Sequence, residues 1–235
     1  MIGAIIGDIV GSRFEFDNYR AKDFDLFTDK CFPTDDSIMT VAIGKALLEC
    51  EGNYDDLNRH AIACMQELGR PYPNCGFGGN FNEWIYSDNP TPYNSYGNGA
   101  AMRISAVGFI ARNLHEVKLF SYAVTSISHN HPEGLKGAEA VATAIFLARQ
   151  SKTKQEIREY IEQHYYKINF TLNEIRKTYE FNETCQNTVP QAFAAFFEAT
   201  DFEDAIRNAV SVGGDSDTLA AITGSIAEAF FGVPN

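Results

Sequence analysis

The sequence predicts an all-α protein, for three reasons. Apolar residues recur at intervals of three and four in segment after segment, the spacing that gathers them on one face of a helix. No stretch alternates apolar and polar residues as a half-buried strand would. The breaks between segments carry Gly, Pro, Asn and Asp, residues that end helices and make loops. About ten short-to-medium helices are expected over the 235 residues.

Met1 to Val10 is read as the first helix, because Gly3, Gly7 and Gly11 recur every fourth residue and give it one small face for close packing. It runs into Gly11-Ser12-Arg13-Phe14-Glu15, followed by an aromatic, charged loop to Pro33. Residues 36 to 50 form a helix with Met39, Ala42, Ile43, Ala46 and Cys50 on its apolar stripe and Lys45 and Glu49 outside it. Residues 55 to 68 form another. Arg70 to Gly79 is loop by its Pro and Gly content, Asn82 to Tyr86 a short helical turn, and Asn89 to Gly97 loop again. Asn98 opens a helix to about Ala111, and Glu116 to Ser126 forms the next. After the loop Ser128 to Pro132, a helix buries Ala138, Val141, Ala142 and Ile145; Pro132 suits its first turn. Residues 153 to 180 carry one or two partly exposed helices. Val189 to Ala199, Phe202 to Val210 and Thr218 to Phe231 complete the set. The last is apolar on nearly every side, so it is expected at the centre of the molecule.

The composition is globular, 45% hydrophobic and 21% charged, with no linker, repeat or low-complexity tract, so a single domain over residues 1–235 is expected. The formal net charge of −12 leaves no basic footprint for nucleic acid or an anionic membrane. Met1 to Gly7 lacks a basic leader and is interrupted by Asp8, so no signal peptide is expected. No apolar run is long enough to span a membrane. Five scattered cysteines without a CxxC pair read as reduced thiols and a cytoplasmic location. Nothing in the sequence indicates an oligomeric state.

Two short stretches carry the chemistry: Thr34-Asp35-Asp36 and Gly213-Gly214-Asp215-Ser216-Asp217-Thr218. Each offers two carboxylates and a threonine hydroxyl, the oxygen donors that hard divalent cations require. Either stretch alone reads equally as the N-cap of a helix. If the fold brings them together, four carboxylates and two hydroxyls converge, and so dense a set of carboxylates repels unless cations neutralise it. Asn98 to Arg103 places glycine and small residues at a helix start, where a phosphate can approach free N–H groups; a start kept tight by packing is the alternative. His129 and His131 lack the third and fourth N/S ligands that zinc needs, so a histidine that orients substrate or a loop is expected instead.

Taken in order, Gly7-Asp8, Gly11-Ser12, Glu15, Thr34-Asp35-Asp36-Ser37, Asn98-Gly99-Ala100-Ala101-Met102-Arg103, His129-Asn130-His131-Pro132 and Gly213 to Thr218 resemble the ADP-ribosylglycohydrolases, over nearly the whole chain. That resemblance implies an all-α orthogonal multi-helix bundle with two Mg²⁺ ions in a cleft, Mn²⁺ being a substitute. It implies Thr34, Asp35, Asp36, Asp215, Asp217 and Thr218 as metal ligands. It makes Glu15, Asp36 and Asp217 the candidate catalytic residues, and Gly97, Asn98, Gly99, Met102, Arg103 and His129 the substrate-binding ones. Relatives usually continue beyond the equivalent of Gly232-Val233-Pro234, so this domain is expected to lack the family's last C-terminal helix.

The expected reaction is Mg-dependent hydrolysis of the glycosidic bond between ADP-ribose and a modified side chain. The partner is an ADP-ribosylated protein or a small ADP-ribose conjugate. Arginine linkage is favoured, partly by resemblance to the dinitrogenase reductase-activating enzyme and partly by charge. With 31 acidic residues against 19 basic, an acidic cleft mouth would attract a cationic leaving group, and Asp23, Asp25 and Asp29 are candidates to line it. Two other readings use the same residues: a two-metal phosphoester or pyrophosphate hydrolase, and a non-catalytic ADP-ribose binder.

Overall fold

The computed structural model describes residues 1–234 and contains helices, turns and loops, with no strand among them beyond one isolated bridge between Gly97 and Thr184. In chain order the helices are α1 (Ile2–Gly11), α2 (Asp35–Glu49), α3 (Leu57–Gly69), α4 (Gly79–Tyr86), α5 (Gly99–Met102), α6 (Ser105–Ile110), α7 (Leu114–Thr125), α8 (Pro132–Arg149), α9 (Lys154–His164), α10 (Leu172–Ile175), α11 (Cys185–Glu198), α12 (Phe202–Val210) and α13 (Ser216–Phe231). The all-α expectation holds. None of the described helices is long and apolar enough to cross a membrane, and all five cysteines are free thiols.

α13 is the hub. Every residue from Ser216 to Ala227 is buried, and α1, α8, α11 and α12 pack around it. Against α1 the contact is backbone on backbone. A Cβ added to Gly3, Gly7 or Gly11 would lie 2.2, 2.0 or 2.5 Å from the carbonyl oxygen of Gly224, Ala220 or Ser216. Those partners run in opposite order, so the two helices are antiparallel. The C-terminal end of α1, with Glu15 just beyond it, therefore meets the N-terminal end of α13, where Asp215 to Thr218 stand. Chain ends some two hundred residues apart become neighbours because glycine removes the side chains that would separate them.

The structure departs from the sequence reading in three places. The helix expected from Asn98 to Ala111 is two short ones, α5 and α6, with the turn at Arg103-Ile104. Apolar spacing continues across the turn because both pieces bury small residues, so periodicity does not reveal it. α4 begins at Gly79 rather than Asn82. α11 begins at Cys185 rather than Val189, with Pro190 inside it; the Cys185 amide donates to the Tyr96 carbonyl at 2.9 Å and starts the helix a turn earlier.

Candidate active site

Asp8 sits on α1 one turn before its end, fully buried. Its carboxylate accepts hydrogen bonds from the Thr34 amide (3.0 Å), the Thr34 hydroxyl (2.7 Å), the Ser37 amide (3.0 Å) and the Ser37 hydroxyl. It thus serves as the anion at the N-terminus of α2, while Thr34 caps locally by accepting from the Asp36 amide. The Asp35 amide is held from the other side by the Cys75 carbonyl at 3.0 Å. Gly76, at φ +116°, leaves room for Asp35, whose Oδ1 would lie 2.7 Å from any Cβ there. The first Asp stretch is therefore fixed by α1 and by the 70s loop before any ligand arrives.

At the N-terminus of α13, Gly213 and Gly214 both take positive φ, which makes the tight approach to Asp215. Asn98 donates to Asp215 at 2.6 Å, and the Thr218 hydroxyl donates to Asp36 at 3.2 Å, joining the two stretches. Oxygens of Glu15, Asp215 and Asp217 come within 4.8 Å of one another. These residues, with Asp35, Asp36 and Thr218, line one cleft of about 520 Å³. Gly97, Asn98, Gly99, Met102, Arg103 and His129 line the same cleft. Thr34 lies beneath it, buried, with its hydroxyl turned to Asp8.

The electrostatics ask for cations. Burial above all, and then neighbouring carboxylates, push Glu15 up to about 7 and Asp35 up to about 8. Burial first also carries Asp215 up to about 6 and holds Asp36 and Asp217 well above the ordinary range. None of the ion pairs among the described residues involves these five groups. One oxygen of Asp36 is buried with no hydrogen-bond partner. An orphaned carboxylate oxygen in an all-oxygen cluster suits a hard divalent ion.

Arg103 is buried, its guanidinium 5.2 Å from the Phe81 ring centre. It donates to the Ser128 hydroxyl at 2.8 Å, and that hydroxyl lies 2.9 Å from His129 Nδ1. Since the guanidinium can only donate, the hydroxyl proton is free to go to Nδ1. The Nε2–H of His129 is then left for the cleft, beside Gly97 and Gly99. Burial, and then the Arg103 charge, hold His129 well below its ordinary pKa and so neutral.

Two expectations need correction. Asp23 and Asp25 do not reach the cleft; they line a separate surface hollow with Lys22, Phe24 and Arg207. Asp29 is not among the cleft residues either. Glu183 supplies acidity there instead: it lines the cleft and its charge acts on Glu15. Second, the helix behind Asn98 is a single turn, so little helix dipole aids a phosphate at Gly99. His131 caps α8, Nδ1 accepting from the Glu133 amide at 3.1 Å. Sequence reasoning gave Asp8 no role and missed Phe181, Tyr93 and Tyr96. Asp8 had a signal, a lone carboxylate inside an apolar helix; the others sit in loops without one.

Fold and site together define an all-α protein with a cleft of converging carboxylates contributed by both ends of the chain. A family model described as ADP-ribosylglycohydrolase matches residues 1–235, and the chain belongs to the ADP-ribosylglycohydrolase family. It is 24% identical to the human ADP-ribosylhydrolase ARH3, covering 99% of this chain and 84% of that protein. It is 29% identical to an uncharacterised protein of Archaeoglobus fulgidus over 54% of this chain, a match that spans 47% of that relative's length. A solved structure described as an ADP-ribosylglycohydrolase-related protein complex shares the fold, with a TM-score of 0.75 and 21% identity over 98% of this chain and 85% of that one.

Proposed function

We propose that this chain is a Mg²⁺-dependent hydrolase that releases ADP-ribose from modified side chains by cleaving the glycosidic bond, with arginine as the favoured linkage. The observation that carries the reading is the convergence of Glu15, Asp35, Asp36, Asp215 and Asp217 in one cleft, in a member of this family. Asp35, Asp36, Asp215, Asp217 and Thr218 would hold two ions, with Thr34 as a sixth donor once its hydroxyl turns from Asp8. Mg²⁺, or Mn²⁺ in its place, supplies the positive charge that neutralises the carboxylates and polarises the ribose hydroxyls.

Cleavage at an anomeric carbon passes through an oxocarbenium-like transition state and needs a proton moved to the leaving group or from water. Glu15, pushed up to about 7 and half-buried at the cleft, is suited to do this near neutral pH. Asn98 keeps Asp215 oriented. The neutral His129 offers its Nε2–H, and the Gly97 to Gly99 backbone gives the ADP-ribose close approach. Glu183, which lines the cleft, supplies the acidic mouth that favours a guanidinium leaving group.

The test is a panel of arginine-, serine- and nucleobase-linked ADP-ribose, each with Mg²⁺ and with a chelator. Free ADP-ribose from the arginine conjugate, in Mg²⁺ alone, is the expected result. Release of AMP instead would point to pyrophosphate hydrolysis. Binding of ADP-ribose without turnover on any conjugate would make the chain a binder.

A further inference from the structure

Two exposed aromatic side chains stand at the Glu15 end of the cleft. Phe16 follows Glu15 in the chain and is 84% exposed; Phe181 is 42% exposed and lines the cleft. Their rings stack, with centres 5.8 Å apart and planes 24° from parallel. Glu183, two residues on, lines the same cleft.

This corner is held in place from both sides. The Glu183 carbonyl accepts from the Asn98 amide at 2.7 Å, and the Cys185 amide donates to the Tyr96 carbonyl at 2.9 Å, so the segment is tied to the Gly97 loop. Arg20 donates to the carbonyls of Arg176 and Tyr179, and Asn18 accepts from the Gly214 amide at 3.0 Å. The loop that carries Phe16 is thereby tied both to the loop that carries Phe181 and to the Asp215 turn.

Phe181 and Glu183 line the same cleft as Glu15, and Phe16 stacks on Phe181, so a side chain carried on a sugar bound there would leave over these residues. Among the described residues, the only lysine or arginine lining the cleft is Arg103, and its guanidinium is turned to Ser128 and Phe81. Among the described residues, no ion pair engages the Glu183 carboxylate and no cation stands over the Phe16 or Phe181 ring. A planar cation suits both, since guanidinium stacks on aromatic rings and pairs with carboxylates.

We infer that Phe16, Phe181 and Glu183 form a leaving-group subsite that takes a planar cationic side chain and sets the linkage preference. The inference rests on the glycohydrolase reading given above and assigns its specificity to three residues outside the metal cluster.

The test is steady-state kinetics in Mg²⁺ on arginine- and serine-linked ADP-ribosyl peptides of matched sequence. Phe181→Ala is expected to raise KM for the arginine-linked peptide about tenfold, the scale of a cation–π contact at a partly desolvated site. It should leave kcat and the serine-linked peptide within about twofold, and Phe181→Tyr should restore the parent KM because the ring face returns. Glu183→Gln should act in the same direction. An equal change on both peptides, or none on either, overturns the subsite. A parent that hydrolyses neither peptide refutes the glycohydrolase reading alone, and the subsite is then read from equilibrium binding of the same two peptides in Mg²⁺. It stands if the arginine-linked peptide binds tighter and Phe181→Ala removes the difference. It falls if the parent binds both equally.

Discussion

The carboxylate of Asp8 accepts both the amide and the hydroxyl of Thr34, at 3.0 and 2.7 Å. A residue inside the first helix thereby caps the second, and the turn carrying Asp35 and Asp36 is locked to α1. Burial raises the pKa of Asp8 and its hydrogen bonds oppose that rise. Removing it leaves the buried Thr34 and Ser37 amides without their acceptor. Asp8→Ala is expected to cost about 3 kcal/mol, the scale of orphaning buried groups bound to a charge, and to lower turnover. Asp8→Asn, which keeps one acceptor oxygen, should cost about a third of that. Unchanged urea midpoints in both variants would dismiss the cap.

The metal cluster predicts a reversal of stability order. Asp36 is fully buried, one of its oxygens has no partner, and burial holds its pKa well above the ordinary range. In a chelator, Asp36→Asn removes an unfavourable charge and should melt above the parent. In excess Mg²⁺ the parent gains binding energy, about 2.7 kcal/mol at a hundred times Kd, and should melt above the variant. A parent whose Tm ignores Mg²⁺ and Mn²⁺ would refute the site.

Glu15→Gln keeps the shape and removes the titrating proton. Turnover should fall at least about a hundredfold, as for loss of a general acid–base group. ADP-ribose affinity by calorimetry should be largely retained. Near-parent turnover would pass the proton-transfer role to an aspartate.

His129 predicts a pH dependence. Its folded pKa lies well below the ordinary 6.5, through burial first and Arg103 second. Below that pH the unfolded chain takes up a proton that the folded chain refuses, so stability falls as pH drops through 6.5. His129→Gln should therefore lose less stability than the parent, by ~1.4 kcal/mol per pH unit in the acid part of that window. Parallel urea-midpoint profiles for parent and variant would contradict it.

The α1–α13 crossing predicts that Gly7→Ala is severe. A Cβ there would lie 2.0 Å from the Ala220 carbonyl oxygen, so the helices must part. The expected loss is about 3 kcal/mol from overpacking, against a helix-propensity gain of roughly 1. Gly79→Ala, with open space at its Cβ, should stay within about 0.5 kcal/mol, apart from any propensity gain. A stable Gly7→Ala variant would mean the two helices pack less closely than described.

The sequence alone determined the helical class and the burial of α13, and it singled out the two Asp stretches as sets of oxygen donors. Those properties are local: apolar spacing sets the buried face, and Asp beside Thr and Gly supplies oxygen donors on a tight backbone. The small face of Gly3, Gly7 and Gly11 was also legible, but not its partner. Only the tertiary structure decided that α1 runs antiparallel to α13, which brings Glu15 to Asp215 and Asp217. The structure likewise gave Asp8 to Thr34 and Ser37, moved the acidic mouth from Asp23, Asp25 and Asp29 to Glu183, and broke the helix at Arg103. These outcomes depend on which surfaces meet across the chain, and a residue's neighbours in sequence carry no record of its neighbours in space.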